Sequence, residues 1–170
     1  MALTLTLTRR WRRTTLALHV LCGVGWMGLD LGLFLLLLTG WTTDSGPVAA
    51  ATYTAARLVV PPVVPALAIG MLLTGVVLGW GTRWGLLQWW WVAVKLVIGV
   101  VLTVLVLVLL LPGALGLPVD LTGTADEVRD AVGREGQHLL FPPAVSFVAL
   151  GVALVLSIWK PWGRTSWRRE

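Results

Sequence analysis

Four long apolar runs separated by short polar stretches set the pattern of this chain, at about 16–38, 57–80, 88–111 and 139–159. Inside them polar residues are scattered and do not alternate with apolar ones. A helix rises about 1.5 Å per residue, so roughly 20 residues cross the ~30 Å hydrocarbon core of a bilayer, and each run meets that length. Continuous apolarity argues against a β-barrel, whose strands alternate lipid-facing and lumen-facing side chains. The pattern predicts an all-α membrane protein: a four-transmembrane-helix bundle, one membrane domain over 1–170, with the lipid bilayer as its first partner.

Composition agrees. The chain is 57% hydrophobic and 12% charged, against about 25% charged residues in soluble domains. The net charge of +5 could suggest a nucleic-acid partner, but its placement explains it better. Arg9, Arg10, Arg12 and Arg13 precede the first run, Arg83 lies between the second and third, and Lys160, Arg164, Arg168 and Arg169 follow the fourth. Four spans put all of these on one side. The other side collects Asp44, Asp120, Asp126, Glu127, Asp130 and Glu135 against Arg57, Arg129 and Arg134. The excess of basic residues on cytoplasmic loops therefore predicts cytoplasmic termini, an external loop at about 112–138 and no nucleic acid. Trp80, Trp84, Trp89, Trp90, Trp91, Trp159 and Trp162 would form the inner aromatic belt, and Trp41 and Tyr53 would mark the outer one. The basic start resembles a signal peptide, but the run behind it exceeds the roughly 7–15 residues of an h-region, so an uncleaved span is expected.

The connections add local expectations. Residues 39–56 are polar enough to predict a first external loop. Pro61, Pro62 and Pro65 predict a bent or irregular outer end for the second span, because proline removes backbone donors. Gly75 and Gly79 have GxxxG spacing, which allows close helix approach; packing within the monomer is expected, and a homo-oligomer is the alternative. Thr124 and Glu127 have capping-box spacing and Gly133 can close a helix, which predicts a short surface helix over 125–132. Cys22, the single cysteine, cannot form an intramolecular disulfide and reads as packing, as do Met27 and Met71.

The candidate chemistry lies in the few polar groups within the runs. His19, Gly23, Trp26 and Asp30 share one helix face, and Lys95, Gly99 and Thr103 share another. Counted from the cytoplasmic ends, His19 and Lys95 differ in depth by about 5–6 Å, whereas Asp30 lies roughly 10 Å deeper than Lys95. This predicts an inner pair, His19 with Lys95, and a separate outer cluster of Asp30 with Arg57 and His138. Lys95 could instead snorkel to headgroups, and His19 could simply bond a carbonyl. His138, before Phe141-Pro142-Pro143, also reads as a loop residue. Asp30 is hardest to explain as filler, because a short ionisable side chain at mid-span is costly and marks a functional site by default.

The stretch LHVLCGVGWMG and the segment GMLLTGVVLGWGTRWGLLQWWWVAVKLVIGVVLTVL resemble an uncharacterised predicted integral membrane family, a domain of unknown function. They are more distantly similar to the copper-resistance D family and to the membrane-bound, haem-containing protoporphyrinogen oxidase family. The resemblance covers roughly residues 15–110 and implies a multi-pass protein of a bacterial cytoplasmic (inner) membrane. It implies a b-type haem or porphyrin, with His19 and Lys95 at the positions that serve haem binding and activity in the oxidase family. The external loop, the extra Trp residues and Asp30 depart from that family, so the resemblance speaks more for haem than for the enzymatic activity.

A neutral His can ligate haem iron, and a bundle core is a usual haem site. On that expectation His19 is an axial ligand, Lys95 approaches a propionate or the second axial position, and Gly23 and Gly99 leave room for the ring. The alternatives are a small proton- or ion-coupled transporter or permeation subunit, with Asp30 and Lys95 lining the path, and a non-catalytic assembly subunit. Whether the chain is an enzyme stays open at this point.

Overall fold

A computed structural model describes residues 8–81 and 86–165; Arg83, Trp84, Arg168 and Arg169 of the expected inner belt and charge set lie outside the described residues. The described chain is helical, apart from one antiparallel pairing of Trp89 with Arg164. Helix α1 is Arg9–Thr42, α2 is Gly46–Trp80, α3 is Trp90–Leu105, α4 is Leu111–Gly116, α5 is Ala125–His138 and α6 is Phe141–Trp159. Four helical stretches are long and apolar enough to cross a membrane: α1, α2, Trp90–Gly116 and Ala125–Trp159.

The helices form a ring in which α1 packs on α2, α2 on α3, α3 on α6 and α6 back on α1. Each core stripe follows steps of three or four residues, the spacing that keeps side chains on one face. On α1 the buried stripe is Trp26, Asp30, Leu33, Leu37 and Gly40. On α2 it runs from Ala49 through Tyr53, Ala56, Val60, Val64 and Ala68 to Met71. Leu102, Val106 and Leu110 complete the core from the third span and Leu150 from α6. Most other apolar side chains face outward, as a bilayer permits.

The helices outrun the apolar stretches that announced them. The expected loop at 39–56 shrinks to residues 43–45, because α2 begins at Gly46. Its first turns bury Ala49, Thr52, Tyr53 and Ala56, so the core stripe simply continues through a segment of lower hydropathy. Gly40 makes this possible: a Cβ there would collide with the Thr52 hydroxyl and come within 3.3 Å of the Tyr53 ring. The irregular turn that was one of two expectations at Pro61, Pro62 and Pro65 is absent. All three sit inside one continuous 35-residue helix, since proline's fixed φ is itself helical.

The third span continues past Leu105 through a π-helical turn, Val106–Leu110, into α4. In this turn the Leu111 N–H bonds to the Val106 carbonyl, five residues back. Pro112 follows; its ring crowds the carbonyl four residues earlier, and a wider turn relieves that contact.

The α1–α2 turn end of the bundle is tied down by side chains that cap helices. The α5 N-terminus has the capping box of Thr124 and Glu127, and the helix breaks at Gly133, whose φ of 52° departs from helical geometry. The expected helix over 125–132 is therefore present, followed by a further short helical piece up to His138. Arg129 donates to the Trp41 carbonyl at 3.2 Å and the Thr43 carbonyl at 2.8 Å, and pairs with Asp126 at 2.6 Å. At the opposite end, Arg164 stacks over Trp89, and the Thr165 N–H bonds to the Gln88 carbonyl.

The close approach of α1 and α2 at Gly40 generates a contrast. Gly40→Val should destabilise the protein in detergent by about 1–3 kcal/mol, the usual range for overpacking. Gly28→Ala, where nothing lies within 4 Å, should be neutral or stabilise by about 0.5–1 kcal/mol. Thermal unfolding of the two purified variants measures both.

Candidate functional site

Asp30 lies in the middle of the α1 core stripe and is fully buried, with 0% of its surface exposed. Its partner comes from α6, where the Ser146 hydroxyl donates to Asp30 Oδ2 at 2.5 Å. Ser146 Oγ also lies 3.3 Å from the Pro143 carbonyl. One turn before Asp30, Trp26 is equally buried; its indole N–H interacts with the same carboxyl without reaching hydrogen-bond geometry. No cation pairs with Asp30 among the described residues.

Ser146 belongs to a second feature as well. It lines a groove of about 780 Å³ between the end of the third span, the last turn of α5 and the first turns of α6. The π-helical turn forms much of one wall, and Leu139, Phe141 and Val145 form much of the other. Glu135 and His138 are the ionisable groups that line it. Widened turns of this kind occur often at functional sites. The groove volume falls within the roughly 300–1,000 Å³ of small-molecule pockets.

The structure separates the residues that the sequence grouped. Arg57 does not approach Asp30; its Nη1 donates to the Leu115 and Leu117 carbonyls and so closes the C-terminal end of α4. A cation at a helix C-terminus is favourable in its own right. His138 shares the groove with Ser146, so it belongs to the Asp30 neighbourhood through that residue.

His19 and Lys95 likewise have different partners. His19 reaches across to α2, where Nδ1 lies 2.9 Å from the Met71 carbonyl and 3.1 Å from Thr74 Oγ1. A carbonyl only accepts, so Nδ1 carries the proton and Nε2 keeps its lone pair. Gly75 leaves the ring its space, since a Cβ there would come 3.0 Å from His19 Cε1. Lys95 Nζ donates to Ser157 Oγ on α6 at 2.9 Å and sits 4.8 Å from the centre of the Trp91 ring.

Gly23 and Gly99 do face a common space, and Met71 fills it. A Cβ on Gly23 would lie 3.6 Å from Met71 Sδ, and one on Gly99 would lie 3.7 Å from Met71 Cε. A macrocycle could enter between these glycines only by displacing that side chain. His19 therefore fits the role of an iron ligand, and the gap between Gly23 and Gly99 does not fit the ring. Among the described residues no cluster of His, Cys, Asp and Glu is arranged to hold a metal ion.

Sequence reasoning passed over Ser146, Ser157 and Glu135. A serine inside an apolar run is a readable signal, because its hydroxyl needs an acceptor away from water; Ser146 and Ser157 are the two serines of α6. Glu135 carried no such mark in a polar segment. The chain matches no protein-family model, no curated protein and no solved structure in comparison with them.

The Asp30–Ser146 contact has a direct stability consequence. Ser146→Ala leaves a buried carboxyl without its hydroxyl partner and should cost about 1–3 kcal/mol. Asp30→Asn keeps an acceptor oxygen of the same shape and should cost less than Ser146→Ala. Thermal unfolding of both in one detergent reads the difference.

Proposed function

We propose that this chain is a proton-coupled carrier or permeation subunit of a bacterial cytoplasmic membrane, with both termini cytoplasmic and Asp30 as its protonation site. One observation carries the reading: a carboxyl wholly buried within a membrane bundle, held by one serine hydroxyl and paired with no cation among the described residues. Ionisable groups placed so are expensive and belong to proton relays and substrate paths. With no cation in contact among the described residues, a proton is the counter-charge this carboxylate can take up. Ser146 suits both states of the acid. It donates to the carboxylate, and when Asp30 is protonated it can turn its hydrogen to the Pro143 carbonyl and accept from the acid. The groove beside Ser146 supplies a route from the α1–α2 turn end of the bundle to this pair.

The proton site is tested by infrared difference spectroscopy of the protein in lipid. A protonated-carboxyl C=O band should appear and vanish as pH is cycled in wild type, and it should be lost in Asp30→Asn. In liposomes with a pH-sensitive dye inside, a potential-driven proton flux should fall by at least about tenfold, or 1.4 kcal/mol, in the same variant. A wild-type band and flux that survive the substitution would overturn the reading.

A second reading is b-type haem, favoured by the His19 geometry alone. The bond from Nδ1 to the Met71 carbonyl fixes the tautomer that presents Nε2 to a metal, the usual supporting contact of a ligating imidazole. His19 would hold the iron, and haem would supply one-electron redox chemistry there. Protein purified from haem-supplied cells should then show a Soret band that His19→Ala abolishes and Asp30→Asn leaves intact; a colourless wild type sinks this reading.

A further inference from the structure

The groove beside Ser146 has a charge character as well as a volume. Its walls are apolar, built by the π-helical turn and by Leu139, Phe141 and Val145. At its rim Glu135 makes no ion pair or side-chain hydrogen bond among the described residues. Gly113 leaves space in front of that carboxylate: a Cβ there would come within 3.5 Å of Glu135 Oε2 and 3.2 Å of Leu139 Cδ2. At the inner wall Ser146 holds the Asp30 carboxyl. Among the described residues neither Lys nor Arg lines the groove; Arg129 on α5 is committed to the Trp41 and Thr43 carbonyls and to Asp126. His138, the remaining ionisable group of the lining, offers an acceptor nitrogen when neutral.

We infer that this groove binds an amphipathic amine, with its aliphatic part against the π-helical turn and α6 and its ammonium group between Glu135 and His138. The inference takes the Asp30–Ser146 pair as the inner end of the same path, and so rests on the reading above. An ammonium carries donors and no acceptor, which complements a carboxylate and a neutral imidazole. An anionic headgroup would meet Glu135 with like charge, and a plain acyl chain would leave the rim carboxylate unused. The widened turn contributes shape: Val106, Val108 and Leu109 all line the groove, more of one helix side than a regular turn offers at one level.

The test uses the full chain in lipid nanodiscs, with a diazirine-bearing dodecylamine and the matching dodecanol as photolabels and mass spectrometry to locate the adducts. The amine should label the segments 106–110 and 141–146, and unlabelled dodecylamine should compete while dodecanol does not. Glu135→Gln, a change on the exposed rim, should lower amine labelling roughly tenfold and leave dodecanol labelling unchanged. Equal labelling by the two probes, or amine labelling indifferent to Glu135→Gln, would overturn the inference and make the groove a seat for lipid chains. The infrared band of Asp30 does not depend on the probe. A band lost in Asp30→Asn without preference for the amine overturns the inference alone, whereas Glu135-dependent amine labelling with no such band overturns the proton reading alone.

Discussion

Between lipid-immersed helices, apolar burial gives no preference for a neighbouring helix over a lipid tail, so register must come from shape and from polar contacts. This bundle has one polar stitch at each of three interfaces. His19 bonds the Met71 carbonyl and joins α1 to α2, Ser146 bonds Asp30 and joins α6 to α1, and Lys95 bonds Ser157 and joins α3 to α6. Between α2 and α3 the contact uses shape, with Met71 and Leu72 laid over Gly99, and Arg57 of α2 adds a polar tie to the α4 end of the same span. Each stitch spans two helices that the core stripes already bring together, so polar pairing and packing specify the same register. Such agreement between levels is what selects one arrangement among many of similar burial.

The number of spans, the core faces and the burial of Asp30 were legible from the sequence, because all three rest on period and polarity. The partners were not. Depth counting assumed that helices end where hydropathy falls, and α2 instead continues to Gly46 through residues of intermediate polarity. That extension places Arg57 well inside a helix and in reach of the α4 carbonyls, where it serves as a cap and leaves Asp30 alone. Ser146 escaped because a small hydroxyl does little to lower the hydropathy of an apolar run, even though it is as much in need of a partner as the carboxyl it finds. The π-helical turn escaped for a different reason: Pro112 announces a disturbance, but whether a helix kinks, ends or widens depends on what packs around it.

The expected inner pair shows how one observation can split a hypothesis. His19 is held in the tautomer that suits a metal, yet the same bond also suffices as a structural contact between α1 and α2. The glycines that were to frame a ring are filled by Met71, whose flexible side chain is the kind that closes irregular gaps. The donor and the space therefore point in opposite directions, and the ligand role of His19 stands on its nitrogen chemistry without support from the cavity. Asp30 is in the reverse position. Its chemistry was the bare fact of a carboxyl at mid-span, and the structure adds a neighbouring groove and a partner that can serve both protonation states.

On the proposed proton reading, that partner would carry two tasks that pull against each other. As a stitch, Ser146 is most useful if its hydrogen never leaves Asp30; as a relay, it must be able to turn toward the Pro143 carbonyl. The second acceptor at 3.3 Å is longer than the first, so the resting arrangement favours the stitch while keeping the alternative within a hydroxyl rotation. Turning costs no backbone movement, because Ser146 and Pro143 are one helical turn apart on α6. The α1–α6 interface can thus keep its register through a proton cycle, provided that Asp30 takes over as donor when Ser146 turns away. A threonine could keep that exchange if its methyl group were accommodated, whereas an alanine could not, and that difference separates a relay from a simple tie between helices.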